Sequence, residues 1–225
     1  MPRQTRIDFG DHYYHVINRA NARVKIFETD KDYLLFEELL EEAQKLIDMR
    51  ILAYCIMPNH WHLVLHPKND GDMSQFMKWL TTAHTRKWHV LHKTIGSGHL
   101  YQGRYKSFLV QEDSYFMQLC RYVERNPLRA HLVLRAENWQ WSSLWRREKG
   151  TPKQKKLLSE WLIPPPANYL AEINEREDNE EIKETIRGCI NKGKPFGNDE
   201  WIMDTIEKFD LLSTIRNPGR PKRRT

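Results

Sequence analysis

Apolar positions along the first half of the chain alternate between two periods. Tyr13-Tyr14-His15-Val16-Ile17 is dense in aromatic and β-branched side chains and predicts a first strand. Asn18-Arg19-Ala20-Asn21-Ala22-Arg23 follows as a polar loop. Thr29 or Asp30 can cap a helix in which Tyr33, Phe36, Leu39, Leu40, Ala43 and Ile47 recur at helical spacing, with acids on the other side. Two short apolar runs, 51–57 and 62–66, are separated by Pro58-Asn59 and predict a hairpin or two closely spaced strands. Asp72 or Ser74 opens a second helix through about His92, with Phe76, Met77, Leu80, Ala83, Trp88 and Leu91 on its buried side. Gly96-Ser97-Gly98 breaks the pattern. Ser107-Phe108-Leu109-Val110-Gln111 predicts a fourth strand, and Asp113 or Ser114 caps a third helix holding Tyr115, Leu119, Tyr122 and Val123. Strand, helix, strand, strand, helix, strand is the split βαβ order of a ferredoxin-like α+β fold. That arrangement predicts a central antiparallel sheet with helices on one face and the other face free.

Beyond Trp145 the texture changes. Pro164-Pro165-Pro166 punctuates the chain, an acidic stretch runs from Glu172 to Glu184, and a further helix is predicted over 200–212. The division expected is a chemistry-bearing domain at 1–150, a partly helical or extended extension at 151–215, and a basic tail at 216–225.

Composition narrows the class. Hydrophobic residues make up 40% of the chain, enough for a packed core. No apolar run approaches the roughly 20 residues that cross a bilayer, so no membrane partner is expected. Cys55, Cys120 and Cys189 are far apart and form no C-x-x-C pair, which reads as reduced thiols in a cytoplasmic protein. The net charge of +6 is unevenly placed. From Met73 to Val110 there is no Asp or Glu, whereas Lys78, Arg86, Lys87, Lys93, Arg104 and Lys106 are all basic, a phosphate-attracting pattern. The tail is basic too, while residues 151–215 carry 9 Lys and Arg against 13 Asp and Glu.

The candidate chemistry starts at His60-Trp61-His62. Residues two apart on a strand share a face, so two imidazoles project side by side at a spacing suited to one cation; two partly exposed surface histidines are the plain alternative. In the third helix Tyr122 and Asn126 lie four apart and stack on one side. A phenol there can attack phosphorus while the amide oxygen completes a metal site. Equally, Tyr122 can be a core residue, and Asn126 before Pro127 can cap a helical segment over 128–133. Tyr115, seven residues earlier, is the rival nucleophile.

Three motifs in order converge on one family. Ile56-Met57-Pro58-Asn59-His60-Trp61-His62-Leu63-Val64, then Gln102-Gly103-Arg104-Tyr105-Lys106-Ser107, then 121–130 (RYVERNPLRA) resemble the HUH single-tyrosine transposases, in particular the REP-associated tyrosine transposases. Trp141-Ser142-Ser143 fits the same pattern, and the resemblance spans roughly 8–147. It implies a ferredoxin-like fold, His60 and His62 as the HUH metal ligands, and Tyr122 as the nucleophile in preference to Tyr115. Asn126, the third candidate ligand, stands where relatives often carry Gln. Mg²⁺ or Mn²⁺ would be the cofactor, and Mn²⁺ suits imidazole at least as well. The implied activity is that of a single-strand DNA endonuclease and strand transferase, forming a covalent 5′-phosphotyrosine at hairpin-forming repeats, in a bacterial, nucleoid-associated monomer or homodimer.

A tyrosine with an ordinary pKa near 10 needs activation, and Arg104 and Lys106 are candidates for that or for plain phosphate contacts. Arg19, Arg23, Lys78, Arg86 and Lys87 are further DNA contacts. Pro218-Gly219-Arg220-Pro221-Lys222-Arg223-Arg224 resembles an AT-hook core, in which Arg220, Lys222 and Arg223 would enter a narrow minor groove. Two other classes compete: a ferredoxin-like domain that grips DNA or RNA hairpins without cutting, and a zinc hydrolase built on His60 and His62. The absence of H-E-x-x-H or a cysteine cluster counts against the second.

Overall fold

A computed structural model describes residues 7–175 and 179–215. Residues 220, 222 and 223 of the AT-hook-like tail lie outside the described residues.

Strand β1 (Tyr13–Arg19) leads through a short 3-10 turn at Asn21–Arg23 to helix α1 (Asp30–Leu46). Thr29 and Asp32 cap that helix reciprocally, as its Thr-x-x-acid start predicts. Strands β2 (Arg50–Met57) and β3 (His60–His66) form a hairpin, followed by α2 (Asp72–Leu91), β4 (Lys106–Val110) and α3 (Ser114–Glu124). The Asp113 carboxylate accepts from the Tyr115 amide and starts α3. All pairings are antiparallel and the strand order is β2-β3-β1-β4, the ferredoxin-like arrangement. The short helices α4 (Asn126–Arg129), α5 (Ser143–Lys149), α6 (Pro152–Lys155) and α7 (Tyr169–Asn174) precede α8 (Glu180–Lys192) and α9 (Asp199–Lys208).

The two faces of the sheet carry two cores. On one, α1 and α2 bury Phe36, Leu40, Phe76 and Leu80 against Tyr14, Val16, Trp61, Leu63 and Leu65. The other face, expected to be open, is covered: Phe116, Leu119 and Val123 of α3 and Ile186 and Cys189 of α8 pack on Ala53, Cys55, Val64, Phe108 and Val110. Every position of β2 after Arg50 is buried. A strand apolar on both sides needs cover on both sides, and the extension supplies part of it.

The rims of the sheet are also closed. Residues 141–143 lie along β2, where the Ile56 amide donates to the Trp141 carbonyl at 2.9 Å and the Tyr54 amide to Ser143 Oγ at 2.9 Å. Indole N–H groups of Trp139 and Trp161 donate to the carbonyls of Ile56 and Leu52. At β4, Phe196 exchanges hydrogen bonds with Leu109 and Gln111. Edge groups left unpaired invite foreign strands, and these contacts satisfy them. Among the described residues no helix is long and apolar enough to cross a membrane, and all three cysteines are unpaired and buried.

Helix α5 is bolted to α1 through a buried ion pair, Arg146 Nη2 to Glu37 Oε2 at 3.0 Å, and the Tyr54 hydroxyl donates to the same carboxylate. Removing one partner strands the other in a dry site. R146A is therefore expected to cost about 3–5 kcal/mol in urea unfolding, and the apolar double substitution Glu37→Leu with Arg146→Met to recover most of it.

His84 of α2 is wholly buried, stacked on Phe27, with its Nδ1 2.6 Å from the Tyr101 hydroxyl. Burial pulls its pKa down to about 3 from 6.5. Above 6.5 neither folded nor unfolded chain carries the proton. Between 6.5 and 3 only the unfolded chain takes it up, so stability falls as the pH drops through that window, by up to about 1.4 kcal/mol per unit for this group. The urea midpoint of H84Q should decline less steeply than wild type between pH 6.5 and 4; parallel slopes would show that His84 is not responsible.

Candidate active site

The register of β3 decides what the second face presents. Ile17 and Cys55 flank His62, and Arg19 and Met57 flank His60. Alternation then sends Trp61 into the α1–α2 core and both histidines to the opposite side, beneath α3. Their rings are 5.1 Å apart. Tyr122 comes down from α3 with its ring 5.9 Å from that of His62, edge to face. The three residues therefore meet, and Tyr122 is partly exposed there. Tyr115 does not join them: its ring meets Phe196 at 5.2 Å.

Each histidine is anchored through Nδ1. His60 Nδ1 is 2.7 Å from Asn59 Oδ1, and His62 Nδ1 is 2.8 Å from His15 Nε2. Neither Nε2 makes a hydrogen bond within the described residues. Burial holds His60 down at about 4, with the Arg19 charge adding to it. Burial first, then His15, His60, Arg129 and Arg19, hold His62 far below its ordinary value. Both rings are thus neutral near pH 7, each with one nitrogen free of a proton.

Asn126 does not cap a segment over 128–133. It begins α4, and its Nδ2 donates back to the carbonyls of Tyr122 and Val123 at 3.0 and 3.3 Å, ending α3. Carbonyls left over at a helix end need donors, and this amide is one. Its oxygen makes no hydrogen bond within the described residues. No group of three or more His, Cys, Asp or Glu able to hold a metal occurs among the described residues. Two neutral imidazoles, with the Asn126 oxygen one helical turn beyond Tyr122 as a further candidate, are a sparse donor set. It fits a catalytic cation that shares its coordination with water and phosphate, not a closed structural site.

Positive charge surrounds the phenol. The Arg129 guanidinium lies 4.2 Å from the centre of the Tyr122 ring, and its Nη2 donates to the Tyr122 carbonyl at 2.7 Å. A cavity of about 60 Å³ beside Tyr122 is lined by Arg121, Arg125, Arg129, Ile182 and Lys183.

The basic residues of the acid-free stretch divide. Lys78, Arg86, His99, Arg104 and Tyr105 line a groove of about 710 Å³ between α2 and the loop before β4. Arg19, Arg104 and Lys106 line a cleft of about 290 Å³ that shares Asn18, Gly103 and Arg104 with it. Among the described residues no acid lines either one. Arg23 is exposed in the 3-10 turn, tied to the β2–β3 turn through its carbonyl. Lys87 turns away to pair with Glu42 of α1 at 3.3 Å and stands apart from the groove.

Three residues near the pair lack a role in the sequence reading: His15, Asn59 and Arg129. Asn59 and Arg129 lie inside the quoted motifs. His15 shares a strand face with Ile17, so the pairing of Ile17 with His62 brings it close; only the register of β1 against β3 reveals that.

Residues 8–126 match the family model described as Transposase IS200 like. No curated protein matches the chain. Among solved structures, a REP-associated tyrosine transposase bound to a REP hairpin aligns at 15% identity with a TM-score of 0.54, covering 80% of this chain and 99% of that one. A second, described as a candidate transposase from Deinococcus radiodurans R1, aligns at 21% identity with a TM-score of 0.40, covering 54% and 95%. At such identity the first match establishes the shared fold.

Proposed function

Since the chain belongs to the IS200-like transposase family, we propose that it cuts and rejoins single-stranded DNA at hairpin-forming repeats, with Tyr122 as nucleophile. The observation that carries this reading is the meeting of Tyr122 with the His60–His62 pair, 5.9 Å between the rings of Tyr122 and His62. The related fold seen with a REP hairpin supports hairpin DNA as the substrate class.

The chemistry follows from the groups present. The Tyr122 oxygen attacks the scissile phosphorus in line and gives its proton to water. The bond from phosphorus to the 3′ oxygen breaks, leaving a 5′-phosphotyrosine on the protein and a free 3′-hydroxyl on the departing strand. Phosphoester energy is retained, so attack by another 3′-hydroxyl reverses the step without ATP. Arg129 holds positive charge beside the phenol and the phosphate it meets. His60, His62 and Asn126 would hold Mg²⁺ or Mn²⁺, which would supply Lewis-acid polarisation of the phosphate. Lys78, Arg86, Arg104, Lys106 and Arg19 contact the strand backbone along the acid-free groove. Tyr101 and Tyr105 border that groove, though both are largely buried, so its grip rests on charge more than on base stacking.

The test uses the full chain, Mn²⁺ and single-stranded oligonucleotides carrying the inverted repeats that flank its reading frame. Wild type and Y115F should yield a protein–DNA adduct that survives denaturant, on the fragment bearing the 5′-phosphate. Y122F should lower adduct formation by at least about 10³-fold, and H60A and H62A should each reduce it sharply while leaving oligonucleotide binding in place. An adduct in Y122F at the wild-type level removes Tyr122 from the reaction. Tight binding by wild type with no adduct favours a protein that grips hairpins without cutting them.

A further inference from the structure

The two histidines of the pair are held in different ways. Asn59 Nδ2 donates to the Arg23 carbonyl at 3.1 Å, which fixes the amide so that Oδ1 faces His60 Nδ1 at 2.7 Å. An amide oxygen only accepts. The single proton of the neutral His60 ring must therefore sit on Nδ1, and Nε2 is a bare lone pair whatever else is bound.

His62 has no such constraint, because its Nδ1 faces another imidazole nitrogen, His15 Nε2, at 2.8 Å. One of these nitrogens carries the hydrogen. If His15 donates, the proton of His62 is on Nε2 and no lone pair is left to bind a cation there. If His62 donates, its Nε2 is bare, and the proton of His15 moves to Nδ1. That His15 nitrogen is buried with no hydrogen-bond partner, and His15 is 0% exposed. Orphaned buried N–H groups are rarer than orphaned acceptors. The arrangement that ligates a cation is thus the one with the less comfortable His15.

Resting on the metal reading above, we propose that His15 and Asn59 are positioning residues: Asn59 locks His60 in the ligating tautomer, and His15 leaves His62 divided between tautomers until a cation is bound. His15 acts only as acceptor in the loaded state. Each ring keeps one proton throughout, exchanged through water on opening, so the balance between the forms shifts without net charge.

Two measurements on the full chain test this. The first needs no metal: ¹⁵N shifts of the imidazoles should show His60 with its proton on Nδ1 alone and His62 averaged between both nitrogens. N59A should release His60 to the same averaging. In H15F, whose ring stays apolar beside Phe108, His62 loses its acceptor and should shift toward the Nε2–H form. The second titrates Mn²⁺, following the free ion by electron paramagnetic resonance. H15F and N59A should each bind about 10–100-fold more weakly than wild type, while H15Q, whose amide oxygen can accept, should recover most of the loss.

If H15F and N59A are folded and bind Mn²⁺ as tightly as wild type, the inference is wrong and both residues merely fill space. A single fixed His62 tautomer in metal-free wild type overturns the His15 half by itself. Absence of any Mn²⁺ binding by wild type defeats the metal reading, and the inference with it, even where the metal-free shifts agree.

Discussion

Everything in the site depends on the pairing of β1 with β3 in one register, Ile17 opposite His62 and Arg19 opposite His60. Slipping β3 by one residue would exchange the faces. Trp61, the largest fully buried side chain, would leave the α1–α2 core, and the two imidazoles would be forced into it. The cost of exposing an indole and burying two unpaired imidazoles is large compared with the marginal stability of a domain. The bulky residue between the histidines therefore acts on the chemistry without touching it: its burial specifies which way its neighbours point.

A second constraint holds the other half of the site. Glu124, two residues after Tyr122, is fully buried, and burial pushes its carboxyl up while hydrogen bonds from Ser143 and Tyr169 oppose that. Arg125 donates to the carbonyls of Ile173 and Glu175, and Arg121 pairs with Glu172 and Glu175. The last turn of α3 is thus fastened to α5 and α7 on one side and to the sheet on the other. Loops bearing reactive groups commonly move. Here the phenol sits on a helix whose last turn is tied down by the buried Glu124 and by Arg125 at its end.

The elements were legible where local signals agree. Capping residues announced α1 and α3, runs of aromatic, β-branched and other apolar residues announced the strands, and the glycines at 96 and 98 marked the break before β4. Asn18-Arg19 read as loop because both are polar; tertiary pairing with Trp61 and His60 carries β1 through them. The expected free sheet face is covered instead by α3 together with α8, a helix that follows β4 at long range in the sequence and whose composition looks merely acidic. The run Ile51–Met57 held the clue, since a continuous apolar strand has no solvent side. Within the site, the histidine pair and the tyrosine follow from motif and spacing. His15 does not, because its role exists only across two strands.

Phe196 and α8 tie the segment beyond residue 150 into the first part of the chain. They complete the sheet by capping the end of β4 and roofing the core beneath α3. Without the residues after 150, Val110 and Phe116 would lose their contacts with Phe196 and Trp161 and one strand border would stand unguarded, a surface prone to stick to copies of itself. Completion of the sheet therefore waits on a segment far along the chain that supplies none of the groups at the His60–His62 pair.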